Sequence, residues 1–480
     1  MPPAMTPASV PAARVASSSP SPLPAADRSE ARSGRGFFGH PVGLGFIVFT
    51  EAWERFSFYG MQALLVLYMT GYLFLPEHSE KVAGFDAFRS VMHGVFGDLS
   101  PQALATQTFG IYVGLVYFAP VLGGLLGDRW LGRRQAVSLG AIFMCVGHFM
   151  MAFDVVFLAA LAALIIGSGL LKGNLAAQVG DLYARDDQRR DAGFSLYNMA
   201  INVGAFLAPL ACGTLGELYG WHYGFGLAGI GMALSLAIYR SGTRHLPDNR
   251  AAATDAPVAG LQPGDGRRIM AVLVILVITA LYWTVQTQVW NTYPLWVQDR
   301  VMRDFGWFEM PVTWFQSLDS LAVLVLAPPV IWFWQRQAKR RTAPSDLAKI
   351  AFGCAVFAGA CLMLVAGEIL AGSARVAIIW PILFHFVCAI GFLYVGPVAM
   401  ALTSRVAPPS VNAMMVSCYY LGIFVGGFGS GFLGRFFERM DAAYFWLLHA
   451  AVVGSGAVLL ILLARPLHRA MRGQNGDAGA

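Results

Sequence analysis

The sequence predicts an all-α integral membrane protein made of two six-helix bundles, and three observations carry that prediction. Of the 480 residues, 57% are hydrophobic and only 12% charged, with a mean hydropathy of +0.58, a balance outside the soluble range. Twelve mostly apolar stretches, each of about the 20 residues needed to cross a bilayer, centre near residues 60, 116, 143, 168, 203, 232, 281, 322, 360, 390, 422 and 454. A polar segment, residues 241–268, divides them six and six. Lipid admits only helices or closed barrels, and these stretches are too long for barrel strands.

Residues 1–36 are rich in Pro, Ala and Ser and hold no apolar run fit for a signal or anchor, so they are expected to form a disordered tail. The N-terminal bundle then occupies residues 37–240, the linker 241–268, the C-terminal bundle 269–466 and a closing tail 467–480. With the first tail inside, cytoplasmic segments hold 24 Lys and Arg and the outer loops 7. That bias puts both termini in the cytoplasm of a multi-pass protein, expected in the cell (inner) membrane. The net charge of +6 therefore has a topological cause, and its spread over many loops argues against a nucleic-acid partner. The six cysteines, Cys145, Cys212, Cys354, Cys361, Cys388 and Cys418, lie within spans at no disulfide or metal-ligand spacing and are expected to be packing residues.

Two basic residues are left inside spans, Arg55 in span 1 and Lys172 in span 4. A charge at that depth costs about 3 kcal/mol or more and usually faces a cavity and a partner. Glu51, Glu54 and Arg55 stand at helical spacings of three and four and share one face, which Tyr59 and Gln62 continue inward. Lys172 thus has acids to meet across the bundle. Snorkelling to water at the end of span 1 is the plainer alternative, but three charges on one face plus a lone buried Lys exceed what anchoring requires.

These residues lie in motifs that resemble the proton-coupled oligopeptide transporters of the major facilitator superfamily. "EAWERFSFYGM" is similar to that family's E-x-x-E-R-F-x-Y-Y-G signature, with Phe58 in place of the first Tyr. "GSGLLKGNLAAQVGDLY" resembles its span 4 motif, with Gly173 where Pro is usual, and "FSLYNMAINVGAFLAP" resembles its span 5 stretch through Tyr197, Ile201, Asn202 and Gly204. "GGLLGDRWLGRR" looks like the superfamily loop after span 2, and "PSDLAKIAFG" like the opening of span 9. The resemblance implies a major facilitator fold that imports di- and tripeptides with protons by alternating access, without a cofactor. Glu51, Glu54, Arg55 and Lys172 would couple protons; Tyr59, Gln62, Lys172 and Asn202 would line the peptide site; Asp128, Arg129, Arg133 and Arg134 would latch the cytoplasmic ends of the first bundle. The implied partners are a small peptide, protons and the lipid bilayer.

The departures from that pattern concentrate in the second half. Gln62 stands where the family carries Arg, Thr287 where its span 7 partner Glu would fall, and Phe392 where a span 10 Glu would hold the peptide ammonium. Asp319, in "FQSLDS", takes the place of a pocket-lining Asn and is the carboxylate left deep in that half, unless it is a loop-end cap. Glu368 is expected to be interfacial. Trp283, Gln286, Trp290 and Tyr293 share a face of span 7, forming either the aromatic wall of a pocket or part of the core. His148 and His385 are intramembrane histidines without a mapped partner. "GFGLAG" satisfies a dinucleotide pattern but follows no strand, and "VGGFGSGFLG" suits close helix packing. No nucleophile–base pair or metal cluster argues for an enzyme. The alternatives are a transporter of this fold for a modified peptide, an amino-acid conjugate or an anion, and a non-transporting membrane sensor.

Overall fold

Within lipid a backbone N–H has only its own helix to satisfy it, and the apolar stretches fold accordingly. The computed structural model describes residues 36–184, 186–247 and 260–471. The expected tail at 1–36, apart from its last residue, and residues 248–259 of the linker lie outside them. Among the described residues there are twelve long helices: α1 Val42–Tyr68, α2 Pro101–Leu126, α3 Arg133–Met150, α4 Phe157–Asp181, α5 Arg189–Ala208, α6 Trp221–Gly242, α7 Asp265–Gln286, α8 Thr313–Lys339, α9 Asp346–Ala371, α10 Ile379–Val406, α11 Asn412–Gly434 and α12 Ala442–Leu462. Ten are long and apolar enough to span a membrane by composition alone. The other two are α1, which carries Glu51, Glu54 and Arg55, and α3, which opens on Arg133 and Arg134. A short helix, Ala464–Met471, crosses the expected boundary between the C-terminal bundle and the closing tail.

In the first bundle α1 packs on α5 and α6, α3 on α4 and α6, and α4 on α2; in the second, α9 packs on α10 and α12, and α7 on α11. "GFGLAG" lies inside α6, and no strand precedes it. The bundles meet chiefly through α2 against α11 and α5 against α8. The glycine run of α11 explains the first contact: a Cβ added at Gly427 would sit 2.7 Å from the carbonyl oxygen of Gly110, so the backbones cross without side chains between them.

Polar ties between the bundles gather at the end distal to the termini. Glu217, after α5, accepts hydrogen bonds from the backbone N–H groups of Val312 (2.7 Å) and Thr313 (2.9 Å) and from Thr313 Oγ1 (2.7 Å). A carboxylate of one bundle thereby caps the first turn of α8 in the other, where free N–H groups and the helix dipole favour an anion. Trp314 Nε1 donates to Thr214 Oγ1 at 2.8 Å, Asn291 Nδ2 donates to the Thr106 carbonyl at 3.1 Å, and Ser100 bonds Glu438.

Two expectations are corrected here. Glu368 is buried, not interfacial: it accepts from Trp296 Nε1 (2.5 Å) and Arg300 (2.8 Å), fastening the helix Thr292–Arg300 to α9. Tyr293 leaves the face of Trp283, Gln286 and Trp290, because α7 passes into a 3₁₀ turn, Thr287–Trp290, and breaks at Asn291 (φ −107°, ψ −88°). It packs inside the second bundle against Trp296, Phe384 and His385.

If Glu217 latches the distal end, Glu217→Ala should loosen it. In a background without native cysteines, Gln62→Cys should then react faster with a membrane-impermeant maleimide added from that side. Equal labelling with and without Glu217 would contradict the latch.

Candidate functional site

Between the bundles lies a cavity of about 530 Å³, a size that takes a small-molecule ligand. Tyr59 and Gln62 of α1, Tyr117 of α2 and Asn198 and Asn202 of α5 form one wall; Trp283, Gln286 and Thr287 at the end of α7, Trp290, Asp319 of α8, Phe392 of α10 and Tyr419 of α11 form the other. Aromatic rings narrow it: Tyr59 meets Trp290 at 5.2 Å between centroids, and Trp283 lies edge-on to Phe392 at 6.3 Å and to Tyr419 at 6.1 Å. The span 7 face is thus cavity wall through Trp290 and core at Tyr293. Asp319 faces the cavity with its side chain 19% exposed, so it is not a loop-end cap. Thr287 donates its hydroxyl to the Trp283 carbonyl of its own helix at 2.8 Å and offers no charge in place of a Glu.

Beside the first wall lies the buried charge cluster that the spacing of span 1 predicts. Arg55 Nε is 2.9 Å from Glu51 Oε1 and 2.5 Å from Glu54 Oε2. Tyr197 lies within electrostatic reach of Glu51. Lys172 enters from α4 but reaches neither acid within ion-pair distance among the described residues. Its Nζ is buried without a hydrogen-bond partner, 3.9 Å from the centroid of the Phe58 ring and 5.1 Å from that of Tyr117. The Arg55 guanidinium lies 5.4 Å from the same Phe58 ring. Phe58, the departure from the signature, is therefore the aromatic surface between two cations. Lys172 is not among the residues that line the cavity; its Nζ lies against Phe58 and Tyr117, and Tyr117 is part of the wall.

In the loop after α2, Arg133 joins Asp128 (3.2 Å) to Asp181 at the end of α4 (2.5 Å). Arg134 lies within electrostatic reach of Tyr239, whereas Arg129 is exposed and outside the pairing. Sequence reasoning missed Asp181 and Tyr117 as members of these sites; a carboxylate closing the span 4 motif was the one signal available for Asp181.

The sequence model of the POT family (PTR2) matches residues 134–259 and 261–447. The chain belongs to the POT family. Among curated relatives it is 29% identical to the peptide transporter YePEPT of Yersinia enterocolitica, over 93% of this chain and 98% of that one. It is 30% identical to the uncharacterized transporter YclF of Bacillus subtilis, over 92% and 96%, and 26% identical to a di-/tripeptide transporter of Lactococcus lactis, over 91% and 97%. Among solved structures, it is similar to a mutant peptide transporter POT in complex with alafosfalin, at 29% identity and a TM-score of 0.80 over 94% of this chain and 100% of that one. A POT family transporter in complex with 5-aminolevulinic acid shares 25% identity and a TM-score of 0.76, over 90% and 98%.

A buried ammonium with no counter-ion lowers stability, so Lys172→Met should raise the unfolding midpoint of the purified protein by the equivalent of about 1 kcal/mol. Arg55→Ala, which strands two buried carboxylates, should instead cost about 3 to 5 kcal/mol. Comparable losses in both variants would show that Lys172 is paired.

Proposed function

We propose that this chain is a proton-coupled symporter that imports di- and tripeptides by alternating access across the cell (inner) membrane, with both termini cytoplasmic and no cofactor. The observation that carries the reading is the division of charge beside the cavity: Arg55 holds both Glu51 and Glu54, and Lys172 is left without a counter-ion. With both acids ionised the four residues are formally neutral. A proton added to Glu54, which lies within electrostatic reach of Lys172, leaves one positive charge in excess in a medium of low dielectric. A peptide carboxylate cancels that charge. Proton and carboxylate therefore bind better together than apart, a coupling free energy of the kind symport requires. Tyr117 and Phe58 must shift for the carboxylate to meet Nζ, and that shift ties occupancy to the packing of α1, α2 and α4.

On the opposite wall Asp319 is the carboxylate available to the peptide ammonium, which needs an anionic or polar partner when buried. The distal ties then describe a state closed to the outside, with the termini end cytoplasmic as the positive-inside bias requires. The POT family, the peptide-transporter relatives and the alafosfalin complex of a similar structure support the same reading. A second reading, a substrate with a blocked or absent amino group, draws on Thr287 and Phe392, where the family's acids are missing. Competition of proton-driven uptake by free and by N-acetylated dipeptides separates the two, and substrate flux in liposomes excludes a non-transporting sensor.

Lys172→Ala should abolish concentrative uptake in liposomes while the protein still purifies as a folded monodisperse species; full uptake would overturn the assignment. Glu54→Gln should weaken the pH dependence of uptake more than it weakens counterflow exchange, which needs no net proton movement. Equal loss of both would place Glu54 in folding or binding alone.

A further inference from the structure

His385 of α10 has no exposed surface, and neither of its ring nitrogens has a hydrogen-bond partner. Its Nδ1 lies 3.9 Å from Asp319 Oδ1, beyond hydrogen-bond length but within reach of a full electrostatic interaction. Asp319 thus presents one side to the cavity and the other to a buried imidazole. The other buried intramembrane histidines are placed differently. His449 of α12 is held by the Phe445 carbonyl at 2.7 Å, and His148 of α3 has no carboxylate within ion-pair distance among the described residues.

The groups that face His385 leave Asp319 as its one charged neighbour among the described residues. Tyr293, after α7, meets the ring edge-on at 5.1 Å, and Phe384 of its own helix lies at 5.4 Å. Cys388 is one turn along α10, with Cys361 of α9 in electrostatic contact with it, and on the α12 side Trp446 touches Phe384. Tyrosine and cysteine in their ordinary forms carry no charge near neutrality. The protonation of this imidazole is therefore felt by Asp319 and by little else.

We propose that His385 competes with the substrate's ammonium group for Asp319. The neutral imidazole leaves the carboxylate to the substrate. The imidazolium, formed by taking a proton from water, is itself the cation that Asp319 neutralises. An arriving ammonium then displaces that proton back to water, so the net charge of the pair with its ligand is unchanged and one proton is released for each substrate bound. His385 is a positioning residue, because it acts through Asp319 and lines no part of the cavity. The two halves thus respond to acid in opposite senses: the α1 cluster gains substrate affinity with a proton, and the Asp319–His385 pair loses it. The pair therefore sets an acid limit on binding. This inference rests on the peptide reading of the cavity.

The test is isothermal titration of the purified full-length protein with alanyl-alanine between pH 7.5 and 5, in buffers of differing ionisation enthalpy. Relative to His385→Gln, the wild type should lose affinity on the acid side, the difference approaching ten-fold per pH unit once the imidazole is charged, and should release about one more proton on binding. His385→Gln should flatten that acid side and lose that additional proton release. Asp319→Asn should flatten it as well, because the competition passes through its charge, and this variant decides the matter should His385→Gln fail to fold. N-acetyl-alanyl-alanine, which has no ammonium, should show no acid loss with the wild type. The same acid profile and the same proton balance in the wild type and His385→Gln overturn the inference while leaving peptide binding intact. Failure of alanyl-alanine to bind at any pH would overturn the peptide reading as well.

Discussion

Arg55 forms ion pairs with two carboxylates of its own helix, Glu51 and Glu54, and Lys172 is left outside ion-pair distance of either. Most of the functional architecture follows from that allocation. A second cation buried near the first is tolerable only where something spreads its charge, and Phe58 does so with a ring that meets Lys172 at 3.9 Å and Arg55 at 5.4 Å. Such a cation-on-ring contact recovers about 1 to 2 kcal/mol when desolvated, less than a buried ammonium costs. The remaining deficit is a standing bias toward any anion that reaches the site. A cavity wall one side chain away, through Tyr117, puts a ligand's carboxylate within reach of that bias.

The distal seal shows how the same fold closes without the ion pair expected between spans 1 and 7. Gln62 and Thr287 both line the cavity, yet neither carries charge. The closing contacts are instead a backbone crossing of Gly110 with Gly427 and a carboxylate, Glu217, on the first turn of α8. Both need the two bundles in register. Neither can persist when the two bundles separate at that end, so the seal opens as a unit and not by stretching of one long side chain.

How much of this was legible in the sequence depended on whether the signal was local. Span positions followed from length and hydropathy, and the α1 cluster followed from spacings of three and four, because helix periodicity alone fixes which side chains share a face. Asp319 was legible as a buried carboxylate by its place within an apolar run. Tyr293 was not, since a 3₁₀ turn and the break at Asn291 rotate the face after Trp290, and no single residue announces that change of period. Glu368 misled because its partners, Trp296 and Arg300, come from another helix. For the same reason the proximity of His385 to Asp319, the pairing of Arg133 with Asp181 and the seat of Glu217 on α8 required three dimensions.

The central claim is that a proton and a substrate carboxylate enter together because they neutralise each other's charge beside Arg55 and Lys172. Its most direct measurement is the luminal pH of proteoliposomes, read with a trapped dye, on adding alanyl-alanine or its C-terminal amide outside. The account predicts luminal acidification with alanyl-alanine and little with the amide, which has no carboxylate to accompany a proton. No acidification with alanyl-alanine, or equal acidification with both, would contradict it.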